Sequence, residues 1–237
     1  MNFKKGEIIA IDKPLGMTSF AALAYVRKRI SVLLDVKRIK IGHAGTLDPL
    51  ASGVLVLCTG KATKRIEELQ QHDKEYVATL QLGATTPSYD MEHEVNATFP
   101  TEHITREAIE QVLTQFVGDI EQVPPTYSAC KINGQRAYKM RRDGCDVTLA
   151  PKHIRIDAIE LLDFRADTMQ MDIRVACGKG TYIRALARDI GRALNSGAYL
   201  TALRRTKAGS FIADKCIQLS DFEAWLAEQS IETSDEE

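Results

Sequence analysis

No apolar stretch in the 237-residue sequence approaches the ~20 residues that a membrane-spanning helix needs. The opening, MNFKKGEIIAIDKPLGM, has two lysines ahead of an apolar patch of only four residues and no small-residue cleavage site, so it does not read as a secretory signal. A soluble, cytoplasmic protein is expected. Cysteine is sparse and scattered. Cys58, Cys130, Cys145, Cys177 and Cys216 are odd in number and form no C-x-x-C pair, which argues against a disulfide framework and leaves buried, reduced thiols as the expected state. The five histidines, at 43, 72, 93, 103 and 153, lack metal-ligand spacing, so no metal site is expected. Nucleotide-binding loops are missing too. GVLVLCTGKAT has the wrong glycine spacing for a phosphate loop and carries Ala62 where a Ser or Thr would hold magnesium; GKGTY is too short for a dinucleotide fingerprint. No internal repeat or linker is evident.

The composition is that of an ordinary globular protein, 44% hydrophobic and 27% charged, and the length fits one large domain or a domain with a small appendage. The formal net charge of −1 argues against a nucleic-acid binder, but its distribution argues the other way. Lys131 to Arg142 holds five basic and no acidic residues, and Arg174 to Lys207 holds eight basic residues against the single acid Asp189. The closing SDFEAWLAEQSIETSDEE has seven acids and no base. Opposed local blocks are a better guide to polyanion binding than the sum, although a basic run is often only a solvated face.

GEIIAIDKPLGMTS reads as a short strand entering a Pro-Gly turn, with Thr18 or Ser19 capping the helix FAALAYVRKRISVLL. GVLVLCTG has the β-branched content of a buried strand, KATKRIEELQQHD reads as a short polar helix, and KEYVATLQLGA alternates as a strand. Residues 84–103 lack periodicity and are expected as an exposed loop. Thr105 can cap REAIEQVLTQFVG, whose Ile109, Val112, Leu113 and Phe116 share one face. QVPPTYSACKING reads as a rigid turn and strand, and QRAYKMRRDG as a short basic helix. KHIRIDAIELLDF and TMQMDIRVACG form a predicted hairpin, with Met169, Met171, Ile173, Val175 and Cys177 alternating. GTYIRALARDIGRAL is a helix with Ile183, Leu186, Ile190 and Leu194 on one face, and a last short helix carries Trp225. Strands and helices without regular βαβ alternation predict an α+β fold with a mixed, mostly antiparallel central sheet flanked by helices.

Chemistry concentrates in two places. In GHAGTLDPLASGVL, Gly42 and Gly45 permit close backbone approach, Pro49 stiffens the exit, and a buried strand anchors the turn that presents Asp48. In CGKGTYIRALARDIG, Tyr182 and Arg184 follow a glycine-bracketed turn. If the two places meet, Arg184 would favour an ionised Asp48 ready for nucleophilic work. Read alone, Asp48 could cap its own turn, Arg184 could be a helix-surface arginine, and Tyr76 could pack in a core or stack on a base.

Taken together, these stretches resemble the TruB family of tRNA pseudouridine synthases. The matching pieces are DKPLGMTS (12–19), GHAGTLDPLASGVL (42–55), GKATK (60–64), KEYVATLQLGATT (74–86), QVPPTYSACKINGQRAYKMRRDG (122–144), GKGTYIRALARDIG (178–191) and LRRTKAGSF (203–211), in family order. The resemblance implies isomerisation of one uridine in the TΨC loop of tRNA, position 55, with no cofactor. It implies Asp48 as nucleophile, Arg184 as its partner and Tyr76 stacked on the target base. His43 would enter the loop as the base leaves, Tyr182 and Leu203 would line the pocket, and Lys13 would support the loop. Lys131, Arg136, Lys139, Arg141, Arg142, Arg204 and Arg205 are candidates for the RNA backbone. The expected partner is the tRNA T-arm stem-loop, met by a monomer with no obligatory protein partner. A catalytic domain over residues 1–215 is expected, followed by a short helix and acidic tail over 216–237 in place of a complete C-terminal PUA domain. The alternative is a non-catalytic tRNA-binding or tRNA-folding chaperone on the same scaffold. A guide-RNA type of synthase would carry additional C-terminal sequence.

Overall fold

A computed structural model describes residues 1–128, 130–132, 135, 136, 140 and 147–232. In chain order the strands are β1 (Ile8–Lys13), β2 (Ile41–His43), β3 (Ala51–Thr59), β4 (Lys74–Leu82), β5 (Ala84–Thr85), β6 (Ala97–Thr98), β7 (Gly118–Gln122), β8 (Lys131–Ile132), β9 (Gln135–Arg136), β10 (Lys152–Arg165), β11 (Gln170–Cys177), β12 (Ala198–Ala208), β13 (Phe211–Ile212) and β14 (Ile217–Gln218). Helices among the described residues are α1 (Ser19–Leu33), α2 (Ile66–Gln71), α3 (Arg106–Thr114), α4 (Ile183–Ala193) and α5 (Phe222–Ala227). None is long and apolar enough to cross a membrane. Two compact units result, Met1–Glu75 with Arg204–Glu237, and Tyr76–Leu203.

In the first unit β1 pairs antiparallel with β3, from Ile8 opposite Cys58 to Lys13 opposite Gly53, while β14 runs parallel along the other edge of β1. Thr18 Oγ1 accepts from the Ala21 amide at 3.0 Å and starts α1 as expected. Ala22, Val26 and Ile30 recur four residues apart and so stand on one side of that helix. That side packs with Ile9 and Ile11 of β1, Leu55 and Leu57 of β3, and Phe222 and Leu226 of α5. Val54, Val56 and Cys58, on the opposite face of β3, pack with Ala44, Leu69 and Ala208. A strand covered on both faces explains why GVLVLC is continuously apolar. From the segment after residue 215, Ile217, Leu219, Phe222 and Leu226 pack into this core.

The second unit is built on the predicted hairpin: β10 and β11 pair antiparallel, and β7 pairs antiparallel with the start of β10. Met171, Ile173, Val175 and Cys177 are fully buried, as their alternation requires. Met169 differs from expectation; it sits in the turn before β11 with a φ of +51°. In β4 burial alternates residue by residue, with Tyr76, Ala78, Leu80 and Leu82 inward. Helix α4 buries Ile183, Leu186 and Ile190, and Thr105 Oγ1 caps α3 by accepting from the Ala108 amide at 3.2 Å. Strand pairing is mostly antiparallel in both units, so the α+β expectation holds.

Three elements depart from the sequence reading. AYLTALRRTKA forms the long strand β12, which its scattered basic residues concealed. The expected exposed loop at 84–103 contains the paired strands β5 and β6, and Thr86, Ser88 and Asp90 in it are buried. Gln135–Arg136, expected to begin a helix, instead pairs with Lys131–Ile132. Most of that predicted basic helix, including Lys139, Arg141 and Arg142, lies outside the described residues, as does Cys145.

Candidate active site

Asp48 lies on the turn that joins β2 to β3, whose register runs from Ile41 opposite Thr59 to His43 opposite Leu57. The main chain of this turn is tied down at several points. The Ser19 hydroxyl donates to the Leu47 carbonyl at 2.9 Å and accepts from the Leu47 amide at 2.8 Å. The Ala51 amide donates to the Asp48 carbonyl at 3.1 Å, and the Gly16 amide to the Pro49 carbonyl at 2.8 Å. Arg205 reaches in from β12, donating from Nε to the Val54 carbonyl at 2.7 Å and from a terminal nitrogen to the Gly45 carbonyl at 3.1 Å. Gly53, at a φ of +105°, is required here: a Cβ would lie 2.2 Å from the Arg205 carbonyl oxygen. The Asp48 side chain itself is half-buried.

Lys13 is fully buried, and its ammonium donates to the carbonyls of Pro14 (2.8 Å) and Met17 (2.6 Å). Burial pushes its pKa down to about 8; the Asp48 carboxylate works against that shift, Arg205 works with it, and Asp12 works against it. A positive charge therefore stands near the turn carboxylate below pH 8. His43 Nδ1 is buried and has no hydrogen-bond partner, and burial together with the Arg205 charge holds the imidazole below its ordinary pKa.

In the second unit Arg184, 6% exposed on the first turn of α4, has its guanidinium fixed by groups far away in sequence. It donates to the Ser88 carbonyl at 3.2 Å and the Tyr127 carbonyl at 3.0 Å, and its Nε lies 3.6 Å from Asp90 Oδ2. Asp90, 5% exposed, also accepts from the Ser88 hydroxyl at 2.5 Å and the Glu92 amide at 3.0 Å. His93 Nδ1 stands 3.0 Å from that hydroxyl, and its ring packs at 4.6 Å against Tyr127. Tyr182 is held by Gln122, whose amide oxygen accepts from the Tyr182 N–H at 2.9 Å and whose amide nitrogen donates to its carbonyl at 3.1 Å. The Tyr182 hydroxyl lies 3.2 Å from Cys130 Sγ, and Lys152 Nζ donates to the same sulfur at 3.4 Å. Burial, then the contact with Cys130, drives the Tyr182 phenol well above its usual range. Burial also acts to raise the Cys130 thiol, but hydrogen bonds from Tyr182, Ser128 and Lys152 outweigh it and bring the thiol below its usual range. Tyr76 is 8% exposed, and Leu203 is half-buried at the end of this unit.

A family model for the N-terminal domain of TruB family pseudouridylate synthases matches residues 31–183, and one for the C-terminal domain of tRNA pseudouridylate synthase B matches residues 184–236. The chain belongs to the TruB family. A Bacteroides fragilis protein named tRNA pseudouridine synthase B is 57% identical over 99% of this chain and 100% of its own length. One of the same name from Phocaeicola vulgatus is 60% identical over 98% of each. Among solved structures, a Cbf5–Nop10–Gar1 complex matches 94% of this chain at a TM-score of 0.70 and 32% identity. The chain spans about half of that matched chain, 55% of its length.

Among the described residues, the TruB motifs around Asp48 and Arg184 fall on anchored elements, and Arg204, Arg205, Lys131 and Arg136 can be placed against their expected roles. Arg205 is 1% exposed and spent on main-chain carbonyls of the Asp48 turn. That burial does not fit a phosphate contact, and Arg205 acts instead as a strut for the turn. Arg204 makes a two-pronged contact with buried Asp12, at 3.1 and 2.6 Å, and Gln218 donates to the same carboxylate at 3.1 Å. Lys131 and Arg136 stand opposite each other on the β8–β9 pair. The sequence reading missed Asp90, Ser88, Gln122 and Ser19 as supports of the site. Ser19 was read only as a possible cap. The others carried no signal, because a buried polar residue in an aperiodic stretch looks like a solvated one until the fold is known.

Proposed function

We propose that this protein isomerises a uridine in the T-arm loop of tRNA, position 55, to pseudouridine, as a cytoplasmic monomer without a cofactor. The single observation that carries this reading is the family match, which spans the Asp48 turn and reaches into the Arg184 helix. The chemistry needs no oxidant and no water. The bond from N1 to C1′ breaks, the base turns, a bond forms from C5 to C1′, and the proton lost from C5 is balanced by one gained at N1. A carboxylate on a rigid turn supplies the nucleophile, which we assign to Asp48. We assign Arg184 the role of orienting group for that carboxylate; the fixation of its guanidinium by Ser88, Tyr127 and Asp90 supports this reading. Lys13 adds positive charge near the same carboxylate.

Access requires the uridine to leave its stack, at a cost of a few kcal/mol. Stacking on Tyr76 recovers about 1–3 kcal/mol. His43 takes the vacated space as a neutral ring, and Tyr182 and Leu203 bound the pocket. We assign the catalysis to residues 1–215, with the segment beyond serving the core of the first unit.

The test is pseudouridine formation in an unmodified T-arm stem-loop, with wild type and Asp48→Ala side by side. Product from wild type alone is the expected result. Binding without product from either protein would instead give the scaffold a tRNA-folding role.

A further inference from the structure

Seven exposed basic residues from three separate stretches surround one end of β3. Lys4 and Lys5 precede β1, Lys37, Arg38 and Lys40 precede β2, and Lys61 and Lys64 follow β3. The main chain draws these stretches together. The Lys61 amide donates to the Lys5 carbonyl at 3.1 Å, the Gly60 amide to the Lys40 carbonyl at 2.9 Å, and the Thr59 amide to the Glu7 carbonyl at 2.9 Å. Gly60 has a φ of +47°, and a Cβ there would strike the Lys4 carbonyl oxygen at 2.1 Å. The convergence is thus imposed by strand ends and backbone bonds. Acids do not dominate it. Glu7 takes the Asn2 amide at 2.6 Å, and Glu68 is occupied by Arg65 at 3.0 Å, leaving Asp35 and Glu67 as exposed acids nearby in sequence.

Like charges collected in this way raise the local potential and favour a multivalent anion over scattered counterions. The position matters as much as the charge. Ala51, the first residue of β3, is bonded to Asp48, whereas Gly60 follows its last. At a rise of about 3.3 Å per residue the strand puts roughly 25 Å between the turn and the lysines. Lysine is a point charge on a flexible stem, suited to phosphates rather than to reading base edges.

We propose that this lysine cluster binds the phosphate backbone of the tRNA substrate outside the loop that reacts. The inference rests on the tRNA reading above and adds a second, sequence-independent contact remote from Asp48. It also gives a role to the GKATK stretch, to which the chemistry assigns none.

The test is a quadruple variant, Lys4→Gln, Lys5→Gln, Lys40→Gln and Lys61→Gln, with unchanged circular dichroism as the check on folding. Each phosphate contact contributes about 0.7–0.9 to the slope of log K against log salt. The variant should bind full-length unmodified tRNA at least about tenfold more weakly, with a slope shallower by about three. Its binding to an isolated T-arm stem-loop, and the rate of pseudouridine formation there, should be unchanged. If the quadruple variant does not fold, the pairs Lys4→Gln with Lys5→Gln and Lys40→Gln with Lys61→Gln should each show about half the slope change. Unaltered tRNA affinity and slope would overturn the proposal. So would an equal loss on the stem-loop, which would move the cluster to the reacting loop. Loss of binding to anionic phospholipid vesicles with tRNA binding intact would overturn it in favour of a membrane surface. A wild-type protein that makes no pseudouridine refutes the functional reading, whereas an active wild type with an unaltered variant refutes the cluster alone.

Discussion

The Asp48 turn of the first unit and the Arg184 helix of the second use different means of fixing a charged side chain. Around Asp48 the anchors grip the main chain: Ser19 on both polar atoms of Leu47, Gly16 on Pro49, and Arg205 on Gly45. Around Arg184 they grip the functional group itself, through the carbonyls of Ser88 and Tyr127 and the carboxylate of Asp90. A carboxylate on such a turn can be removed with the main-chain anchors of the turn left in place. A guanidinium that is also the hub of a buried polar cluster cannot, because its loss strands the groups it satisfied.

The largest expected effect separates the two cases. Asp48→Ala should lower pseudouridine formation by at least about 10⁴-fold while costing less stability than a change at Arg184, because the main-chain anchors of its turn remain. Arg184→Met should lose activity and also about 3 kcal/mol, since Asp90 would remain buried without its cation. Urea midpoints measured beside activity decide this, and equal destabilisation by the two would break the comparison.

A smaller effect concerns Lys13. Its folded pKa of about 8 lies below the ordinary lysine value of 10.5, so the unfolded chain holds the proton more tightly. Between pH 8 and 10.5 the unfolded state binds more protons, and stability from this group rises with pH, by up to about 3 kcal/mol across the window. Below pH 8 the full penalty of the buried charge applies. Wild type should therefore gain stability relative to Lys13→Met as pH rises, as read from paired urea midpoints at pH 7.5 and 10. Activity should fall as pH rises through about 8, because the positive charge near Asp48 is lost, and that limb should be missing in Lys13→Met. A limb that persists in the variant would remove Lys13 from the electrostatics of the turn.

The smallest effect sharpens what a main-chain anchor is worth. Ser19→Ala leaves the Leu47 amide and carbonyl without their partner, which should cost about 1–2 kcal/mol. If the turn needs this anchor to present Asp48, turnover should fall about tenfold with little change in KM. Unchanged turnover would show that Arg205 and Gly16 hold the turn without it.

Much of this was legible in the residues. GHAGTLDPL announces a rigid turn before an apolar strand because Gly, Pro and β-branched residues have strong local preferences, and alternation in KEYVATLQL and QMDIRVAC gave both strands and their inward faces. Thr18 and Thr105 were readable as caps for the same local reason. Asp90 was not legible. It lies in an aperiodic polar stretch, and its burial comes from Arg184, 94 positions along the chain. Arg205 was misread because a basic residue next to another resembles a solvated run; only the fold shows its guanidinium enclosed on the carbonyls of Val54 and Gly45.

The sequence by itself therefore determined the local elements, the turn that carries Asp48 and the membership of its motifs in one family, because each depends on preferences expressed within a few residues. Tertiary structure alone decided which polar groups are buried together. It turned Arg205 from a surface charge into a strut, made Asp90 and Ser88 supports of Arg184, and gathered the lysines of three strand ends into one cluster. These depend on long-range pairing, where the cost of burying a charge is met by a partner that no nearby residue foretells.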